Sequence, residues 1–220
     1  FFGADTGMEE IRGREVEKAW ARSLSIEDAM RLENMLAFEM NGEALPHYHG
    51  KPVRLLVPGW YGVANVKWLK RIEVRDTRFM GRFMAKDYVT LREEDHNGET
   101  VWAETSVGRA RINSIAAKVT KEGQRHTVHG AAWGADIARV EVQVDDGPWM
   151  AATLGEGRDD PYTWTFWSLD WDAPSGEHTV TSRAIDVDGK VQPAADDDML
   201  VRKRTYWESN GQYTRRIAID

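Results

Sequence analysis

Apolar and polar residues alternate most clearly in the second half of the chain. Three valines alternate with polar residues over positions 140–144, and the turn sequence Asp145-Asp146-Gly147 follows them. This pattern is typical of a β-strand with one buried face. Further strands are predicted at 127–133, 149–153, 162–169, 178–185 and 213–219. Six or seven short strands within about 100 residues indicate an immunoglobulin-like β-sandwich.

The first half of the chain is less regular. A short helix is predicted to begin at Ser25, because Asp28 stands where a capping box needs it. The apolar stretch 35–40 ends at the hairpin dipeptide Asn41-Gly42, and a buried strand is predicted at 53–57, before Pro58-Gly59.

A third strand is predicted at 66–74, and the segment 75–113 is interpreted as a structured connection because it lacks clean periodicity. The predicted fold is mainly β, with an α+β N-terminal part. The predicted domains are residues 1–113 and 114–220.

Composition and charge exclude several classes of function. The 220 residues are 41% hydrophobic, enough for one large or two modest domains. The net charge is −7 and the basic residues are scattered, which argues against a nucleic-acid partner. No apolar run approaches the roughly 20 residues that span a bilayer, so no membrane role is predicted. The absence of cysteine excludes disulfides, thiolate nucleophiles and cysteine metal sites within this chain.

Metal and sugar sites are weakly indicated. The aspartates at 186–188 and 196–198 do not have the spacing of a calcium loop, and a turn or a solvated face is the favoured reading. His47 and His49 have no evident third ligand, so no metal-binding residue is predicted. The tryptophans of the second half fall on or beside predicted strands, where a core position is favoured over a carbohydrate platform.

The segment from Glu39 to Leu69 carries the most specific signal. It contains four motifs in order: Glu-Met-Asn-Gly-x-x-Leu-Pro from residue 39, His-Gly-x-Pro-x-Arg from 49, Val-Pro-Gly from 57 and Val-Lys-Trp-Leu from 66. These motifs resemble those of the sulfite oxidase family of molybdopterin enzymes. The resemblance continues through 130–133 and 145–149 to 191–193. It implies a partial sulfite-oxidase-type molybdopterin domain followed by the sandwich, here a dimerisation domain.

The resemblance also implies a set of cofactor contacts. His49, Arg54 and Lys67, with the backbone around Asn65 and Val66, are expected to hold the molybdopterin. An imidazole, a guanidinium and an ammonium group supply directional donors and positive charge for the phosphate of the pterin.

Two catalytic residues are implied with the same cofactor. Tyr88, in the Asp-Tyr element, is expected to lie near the substrate oxyanion. Arg216 resembles the arginine of the family's closing motif and is favoured over its neighbour Arg215.

The implied activity is oxidation of sulfite to sulfate, with electrons passing to a cytochrome c-type acceptor. The resemblance further implies a homodimer formed through the sandwich and a periplasmic location in bacteria. A related enzyme acting on nitrate or thiosulfate, or a non-catalytic self-association module, are the alternatives. The family ligates molybdenum through a cysteine that this chain lacks, so the 220 residues are expected to be the C-terminal part of a longer enzyme.

Overall fold

The computed structural model describes residues 1–155 and 162–220. The chain forms two compact units. The first contains Phe1–Arg109 and the short returning segment Lys203–Trp207, and the second contains Ala110–Arg202 and Glu208–Asp220. The sequence pattern did not predict that residues 203–207 join the first unit.

The first unit is built mainly of strands, four long and five short. They are β1 (Phe2–Ile11), β2 (Arg14–Ala21), β3 (Met35–Ala37), β4 (Glu39–Met40), β5 (Glu43–Ala44), β6 (Arg54–Leu56), β7 (Leu69–Arg71), β8 (Val89–His96) and β9 (Glu99–Ser106). The helices are α1 (Ile26–Ala29), α2 (Arg82–Ala85) and two 3₁₀ helices at His47–His49 and Gly62–Ala64. The order β2-β1-β7 forms a three-stranded sheet, and β3-β6, β4-β5 and β8-β9 form two-stranded pairs.

Two long hairpins in this unit were not predicted. The β1-β2 hairpin turns at Arg12-Gly13 and the β8-β9 hairpin turns at Asn97-Gly98, and all four residues have positive φ. This is the backbone of a type I′ turn, which suits the twist of paired strands. The strands were missed because many of their side chains are exposed on both faces, so they lack the alternation that marks a strand with one buried face.

Other local predictions for the first half are confirmed. Ser25 caps α1, accepting a hydrogen bond of 3.0 Å from the Asp28 backbone N–H. The Asn41-Gly42 turn joins β4 to β5, and both of its residues have positive φ. Strand β6 lies within the predicted segment 53–57.

The strand predicted at 66–74 is wrong at both ends. Only Leu69–Arg71 is a strand. Trp68 has φ of 46°, so the left-handed conformation interrupts the extended chain before Leu69. Beyond Arg71 the ladder with β1 has ended, and the side chains of Ile72 and Val74 are exposed.

A small apolar core supports the first unit. It consists of Leu55, Val57, Ala64 and Val66, with Trp20 and other partly buried apolar residues packed against it. The core therefore lies beneath β6 and the loop 57–69, which carries most of the predicted cofactor contacts.

The second unit is a sandwich of two antiparallel four-stranded sheets. Its strands are β10 (Asn113–Glu122), β11 (Arg125–Trp133), β12 (Ile137–Val144), β13 (Met150–Ala151), β14 (Thr153–Leu154), β15 (Thr165–Trp171), β16 (Gly176–Asp186) and β17 (Thr214–Ile219), with helix α3 at Asp198–Val201. The sheet orders are β10-β11-β15-β14 and β13-β12-β16-β17. The prediction of a mainly β chain ending in a sandwich is confirmed.

Apolar residues from both sheets meet in the sandwich core. Val128 of one sheet and Val140, Val142 and Val180 of the other are fully buried. A buried polar chain lies beside them, in which the Trp167 Nε1–H donates to Ser114 Oγ at 3.1 Å and Ser114 Oγ donates to Ser182 Oγ at 3.0 Å.

Two details of the sandwich differ from the prediction. Strand β10 was missed altogether. The strand predicted at 149–153 is two short strands that join opposite sheets, since β13 pairs with β12 and β14 pairs with β15. Between them the Ala152 backbone N–H donates to the Val140 carbonyl at 2.9 Å, so the chain crosses between sheets with this amide satisfied.

Candidate cofactor-binding site

The 3₁₀ helix His47–His49 forms one wall of the predicted site. It ends at Gly50, whose φ of 107° is a conformation that favours glycine. A Cβ atom at Gly50 would lie 3.0 Å from Lys67 Cβ and 3.1 Å from the Trp68 backbone nitrogen. Glycine at this position therefore lets the turn pack directly against the Lys67 backbone.

Arg54, on strand β6, and Lys67, in the bend before β7, extend toward the same turn. Arg54 Nη1 donates to the His49 carbonyl at 3.1 Å, and Lys67 Nζ donates to the Tyr48 carbonyl at 3.1 Å. Lys67 Nζ also lies 4.5 Å from the centre of the Trp68 ring, which is in cation–π range. The structure thus brings His49, Arg54 and Lys67 together around residues 47–50.

One donor of this cluster has nothing to bind. Arg54 Nε is buried and forms no hydrogen bond with any described residue. Burial also lowers the pKa of the Arg54 guanidinium, because desolvation disfavours its charged form. A buried, unsatisfied donor costs free energy, so its presence beside the Lys67 ammonium and the His49 ring indicates a position built for an acceptor.

Few acidic groups oppose this charge. Within the described part of the chain, Arg54 and Lys67 take part in no ion pair. Asp5 interacts electrostatically with Lys67. Burial raises the pKa of the Asp5 carboxyl, while its own backbone N–H and the Lys67 charge act to lower it. The cluster therefore keeps an excess of positive charge and fits the phosphate of a pterin cofactor.

Asn65 and Val66 are engaged within the fold. Asn65 Oδ1 accepts the Val57 N–H at 2.6 Å, and the Asn65 backbone N–H donates to the Gly62 carbonyl at 3.0 Å. Val66 is fully buried, and its carbonyl accepts the Leu55 N–H at 2.9 Å. These contacts shape the loop that precedes Lys67.

Tyr88 is held in a strained conformation between two indole rings. Its φ is 54°, which is rare for a bulky residue outside a turn. The ring lies 5.4 Å from Trp20, edge to face, and 4.5 Å from Trp207, measured between ring centroids. Trp20 also packs on the core beneath the cationic cluster. No sequence pattern had indicated Trp20 or Trp207, since neither belongs to a motif.

The returning segment 203–207 brings Trp207 to Tyr88. The Arg204 backbone N–H donates to the Leu91 carbonyl at 2.9 Å, and the Leu91 N–H donates to Thr205 Oγ1 at 3.1 Å. The Arg204 guanidinium also lies 4.6 Å from the centre of the Trp102 ring. The segment is therefore fixed along strand β8, immediately after Tyr88.

Arg216 belongs to the second unit. Arg215 pairs with the fully buried Val180 across the ladder, and its side chain donates to the Ala116 carbonyl. Arg216 pairs with Thr179, so it lies on the opposite face of β17. Both arginines line a groove of about 430 Å³ between β10 and β17, together with Lys118 and Lys121.

A larger cleft in the first unit contains none of the predicted residues. It has a volume of about 500 Å³ and is mainly apolar; Leu24, Trp60, Phe79 and Met84 line part of it. Its lining includes Arg75 and Arg78, but Arg75 forms an ion pair with Glu73 at 3.3 Å and Arg78 Nη2 donates to Ser106 Oγ at 2.7 Å. The cluster around residues 47–50 therefore remains the better candidate for an anionic cofactor.

Comparison with known proteins agrees with this geometry. Residues 1–83 match the oxidoreductase molybdopterin binding domain, and residues 110–209 match the Mo-co oxidoreductase dimerisation domain. The chain belongs to the sulfite oxidase family of molybdopterin oxidoreductases. The first match ends before Tyr88 and the second before Arg216.

Several relatives cover most of this chain. Mitochondrial sulfite oxidase from Homo sapiens is 32% identical over 192 residues, which cover 80% of this chain and 35% of that protein. Nitrate reductase [NADH] from Cichorium intybus is 33% identical over 74% of this chain and 21% of that protein. The chain thus spans about a third or less of these curated relatives.

A solved structure shares the fold. The sulfane dehydrogenase SoxCD from Paracoccus pantotrophus superposes with a TM-score of 0.77 and 32% identity, over 91% of this chain and 52% of that one. In the ranges 1–155 and 162–220, no helix is long and apolar enough to cross a membrane.

Proposed function

We propose that this chain forms one side of the cofactor site of a molybdenum enzyme that oxidises sulfite to sulfate. The observation that carries the proposal is the buried, unsatisfied Arg54 Nε within a cluster of cationic groups. Such a donor is satisfied by an anionic oxygen, and the phosphate of a molybdopterin provides one.

Each residue of the cluster has a stated role. Arg54 and Lys67 bind the phosphate of the pterin, and His49 donates a further hydrogen bond from its exposed ring. The backbone near Asn65 and Val66 fixes the loop against which the pterin packs. The bound cofactor supplies the two-electron chemistry that protein side chains lack.

The substrate is oriented by residues outside this cluster. Tyr88 presents its phenol to the oxyanion, and Arg216 supplies a positive charge to it, with Arg215 as the competing assignment. The strained φ of Tyr88 supports its role, because unfavourable backbone conformations persist where the surroundings enforce them, often at functional sites.

A reduced sulfur compound such as thiosulfate is the second candidate substrate. The likeness to a sulfane dehydrogenase over 91% of the chain favours it. Nitrate is a third, because nitrate reductases are among the relatives. Turnover of the full-length protein with sulfite, thiosulfate and nitrate separates these substrates. Turnover of nitrate alone would refute the sulfur-oxidising function.

We further propose a homodimer formed through the sandwich, a periplasmic location and a cytochrome c-type electron acceptor. The dimerisation-domain match supports the first, and the likeness to a bacterial enzyme supports the second. The net charge of −7 favours a basic cytochrome. Light scattering tests the dimer. A rate of cytochrome reduction that does not fall as salt increases would argue against a basic cytochrome partner.

Cofactor loading is the direct test of the whole proposal. Molybdenum and pterin should copurify with the full-length protein in near-stoichiometric amounts and should be depleted in Arg54→Met and Lys67→Met. Arg14→Met is the matched control, because Arg14 is exposed on strand β2 of the same unit. Full-length protein that folds and contains no molybdenum or pterin would refute the function. Equal loading in all three variants would refute the assigned roles.

A further inference from the structure

Arg22 is a buried cation that the cofactor cluster does not include. It follows strand β2, and only 2% of its surface is exposed. Within the described part of the chain, no carboxylate forms an ion pair with it; its guanidinium donates to two backbone carbonyls, those of Phe83 and Val107. Burial lowers its pKa to about 10, and the nearby Tyr88 phenol partly offsets that shift.

The two carbonyls that Arg22 binds lie on either side of Tyr88. Phe83 is in helix α2, at the start of the short segment that leads to Tyr88. Val107 follows strand β9, and its N–H donates to the Tyr88 carbonyl at 2.9 Å. The planar guanidinium therefore joins the chain before Tyr88 to the residue that binds the Tyr88 backbone. A lysine has no second, coplanar donor with which to do this.

The same segment has further side-chain supports. Arg82 Nε donates to Asp87 Oδ2 at 2.7 Å, and Ser106 Oγ donates to the Met84 carbonyl. A left-handed conformation at a residue with a Cβ costs about 1–2 kcal/mol, so the contacts around it must hold it in place. Arg22 is the buried member of this set.

A purely stabilising role does not account for the choice of arginine. A buried charge without a partner charge is expensive, and an apolar residue of similar volume often stabilises a core more. Arginine at this position brings two things that an apolar residue lacks, a rigid two-carbonyl bridge and a positive charge beside a phenol.

We propose that Arg22 is a positioning residue for Tyr88. It fixes the backbone that displays the phenol and keeps a positive charge near it. This inference rests on the proposed function, in which Tyr88 contacts the substrate.

A double-mutant cycle in the full-length enzyme tests the inference. Arg22→Met and Arg22→Lys are made in the wild-type and Tyr88→Phe backgrounds, with Arg14→Met as the exposed control. Because a small misplacement of a catalytic group can lower the rate about 100-fold, Arg22→Met should lower kcat/KM for sulfite by about 10- to 100-fold. Arg22→Lys should lose less, since it keeps the charge. In the Tyr88→Phe background, Arg22→Met should change kcat/KM by less than about 2-fold.

Near-ultraviolet circular dichroism of the same variants needs no turnover. The packed rings of Trp20, Tyr88 and Trp207 contribute to this signal, and Arg22→Met should change it in the wild-type background but not beside Tyr88→Phe. If Arg22→Met does not fold, Arg22→Lys serves in both measurements.

The outcomes separate this inference from the proposed function. Equal effects of Arg22→Met in both backgrounds would overturn the role of Arg22, because a merely structural residue acts regardless of the phenol. An enzyme that turns over none of the three oxyanions would refute the proposed function, and the dichroism cycle would still decide whether Arg22 positions Tyr88.

Discussion

Replacing Arg54 by methionine tests whether this residue binds a ligand or only stabilises the fold. The substitution removes one hydrogen bond of 3.1 Å to the His49 carbonyl and the buried Nε that has no partner. The lost bond costs about 1.5–3 kcal/mol and the relief of the unsatisfied, desolvated donor returns about 1–3 kcal/mol. The two effects largely cancel, so the free energy of unfolding of the cofactor-free protein should change by no more than about 2 kcal/mol.

Cofactor retention should respond very differently to the same change. A charge-assisted hydrogen bond to a phosphate is worth about 1.5–3 kcal/mol, which corresponds to about 10- to 150-fold in affinity. The assay measures pterin and molybdenum retained after dialysis, beside thermal melts of the cofactor-free forms, with Arg14→Met as control. A loss of more than about 2 kcal/mol in cofactor-free stability with retention unchanged would show that Arg54 is a structural residue and would refute the reasoning.

Three further predictions concern the sandwich. Gly130→Ala should destabilise it by about 1–3 kcal/mol or more in urea unfolding, since the added methyl would overlap the Trp167 ring and the Ile115 carbonyl. Gly7→Ala is the control, because a Cβ atom there meets no atom within 4 Å. Equal urea midpoints for the two variants would contradict the packing. Ser114→Ala should cost about 1–3 kcal/mol, because it leaves the buried Trp167 Nε1–H without its acceptor; a neutral result would mean that water replaces the hydroxyl. Hydrogen bonds to Asp145 Oδ2 and the Pro174 carbonyl raise the pKa of His178. The contribution of His178 to the free energy of unfolding should therefore be complete below about pH 6.5 and be lost as the pH rises through the pKa of the folded state. A pH dependence of Tm in this range that is unchanged in His178→Gln would contradict this.

Local patterns predicted the sandwich well because its strands have one buried face each. The alternation at 140–144 corresponds to a real ladder in which Val140 and Val142 are fully buried. Turn chemistry was equally informative at Asn41-Gly42. The β1-β2 and β8-β9 hairpins were missed for the opposite reason, since polar residues occupy both of their faces. The Asn97-Gly98 dipeptide between β8 and β9 was the one local signal available for them.

The candidate site likewise contains some residues that the sequence predicted and others that it did not. His49, Arg54 and Lys67 lie within 19 residues of one another in sequence, in motifs that can be recognised, and the structure places them around one turn. The partners of Tyr88 come from distant positions: Trp20 and Arg22 from the end of β2, Val107 after β9, and Trp207 from the returning segment. No periodicity relates these positions, because only the folded first unit brings them together.

Backbone strain distinguishes the two aromatic residues of this region from the ordinary turns. Asn41, Asn97 and Asp145 have positive φ in hairpin turns, where their short polar side chains tolerate it. Trp68 and Tyr88 have φ of 46° and 54° without belonging to a hairpin turn, at a cost of about 1–2 kcal/mol each.

Both strained residues are held by groups from elsewhere in the first unit. The Trp68 indole donates to the His47 carbonyl at 3.0 Å, and the Tyr88 carbonyl accepts the Val107 N–H at 2.9 Å. Trp68 follows Lys67 directly and lies between it and strand β7, so the strained residue is next to the lysine of the candidate site. In an ordinary surface loop, substitution of the strained residue by glycine would relieve this cost. Its retention at these two positions is explained if the orientation of Lys67 and Tyr88 matters more than the stability lost.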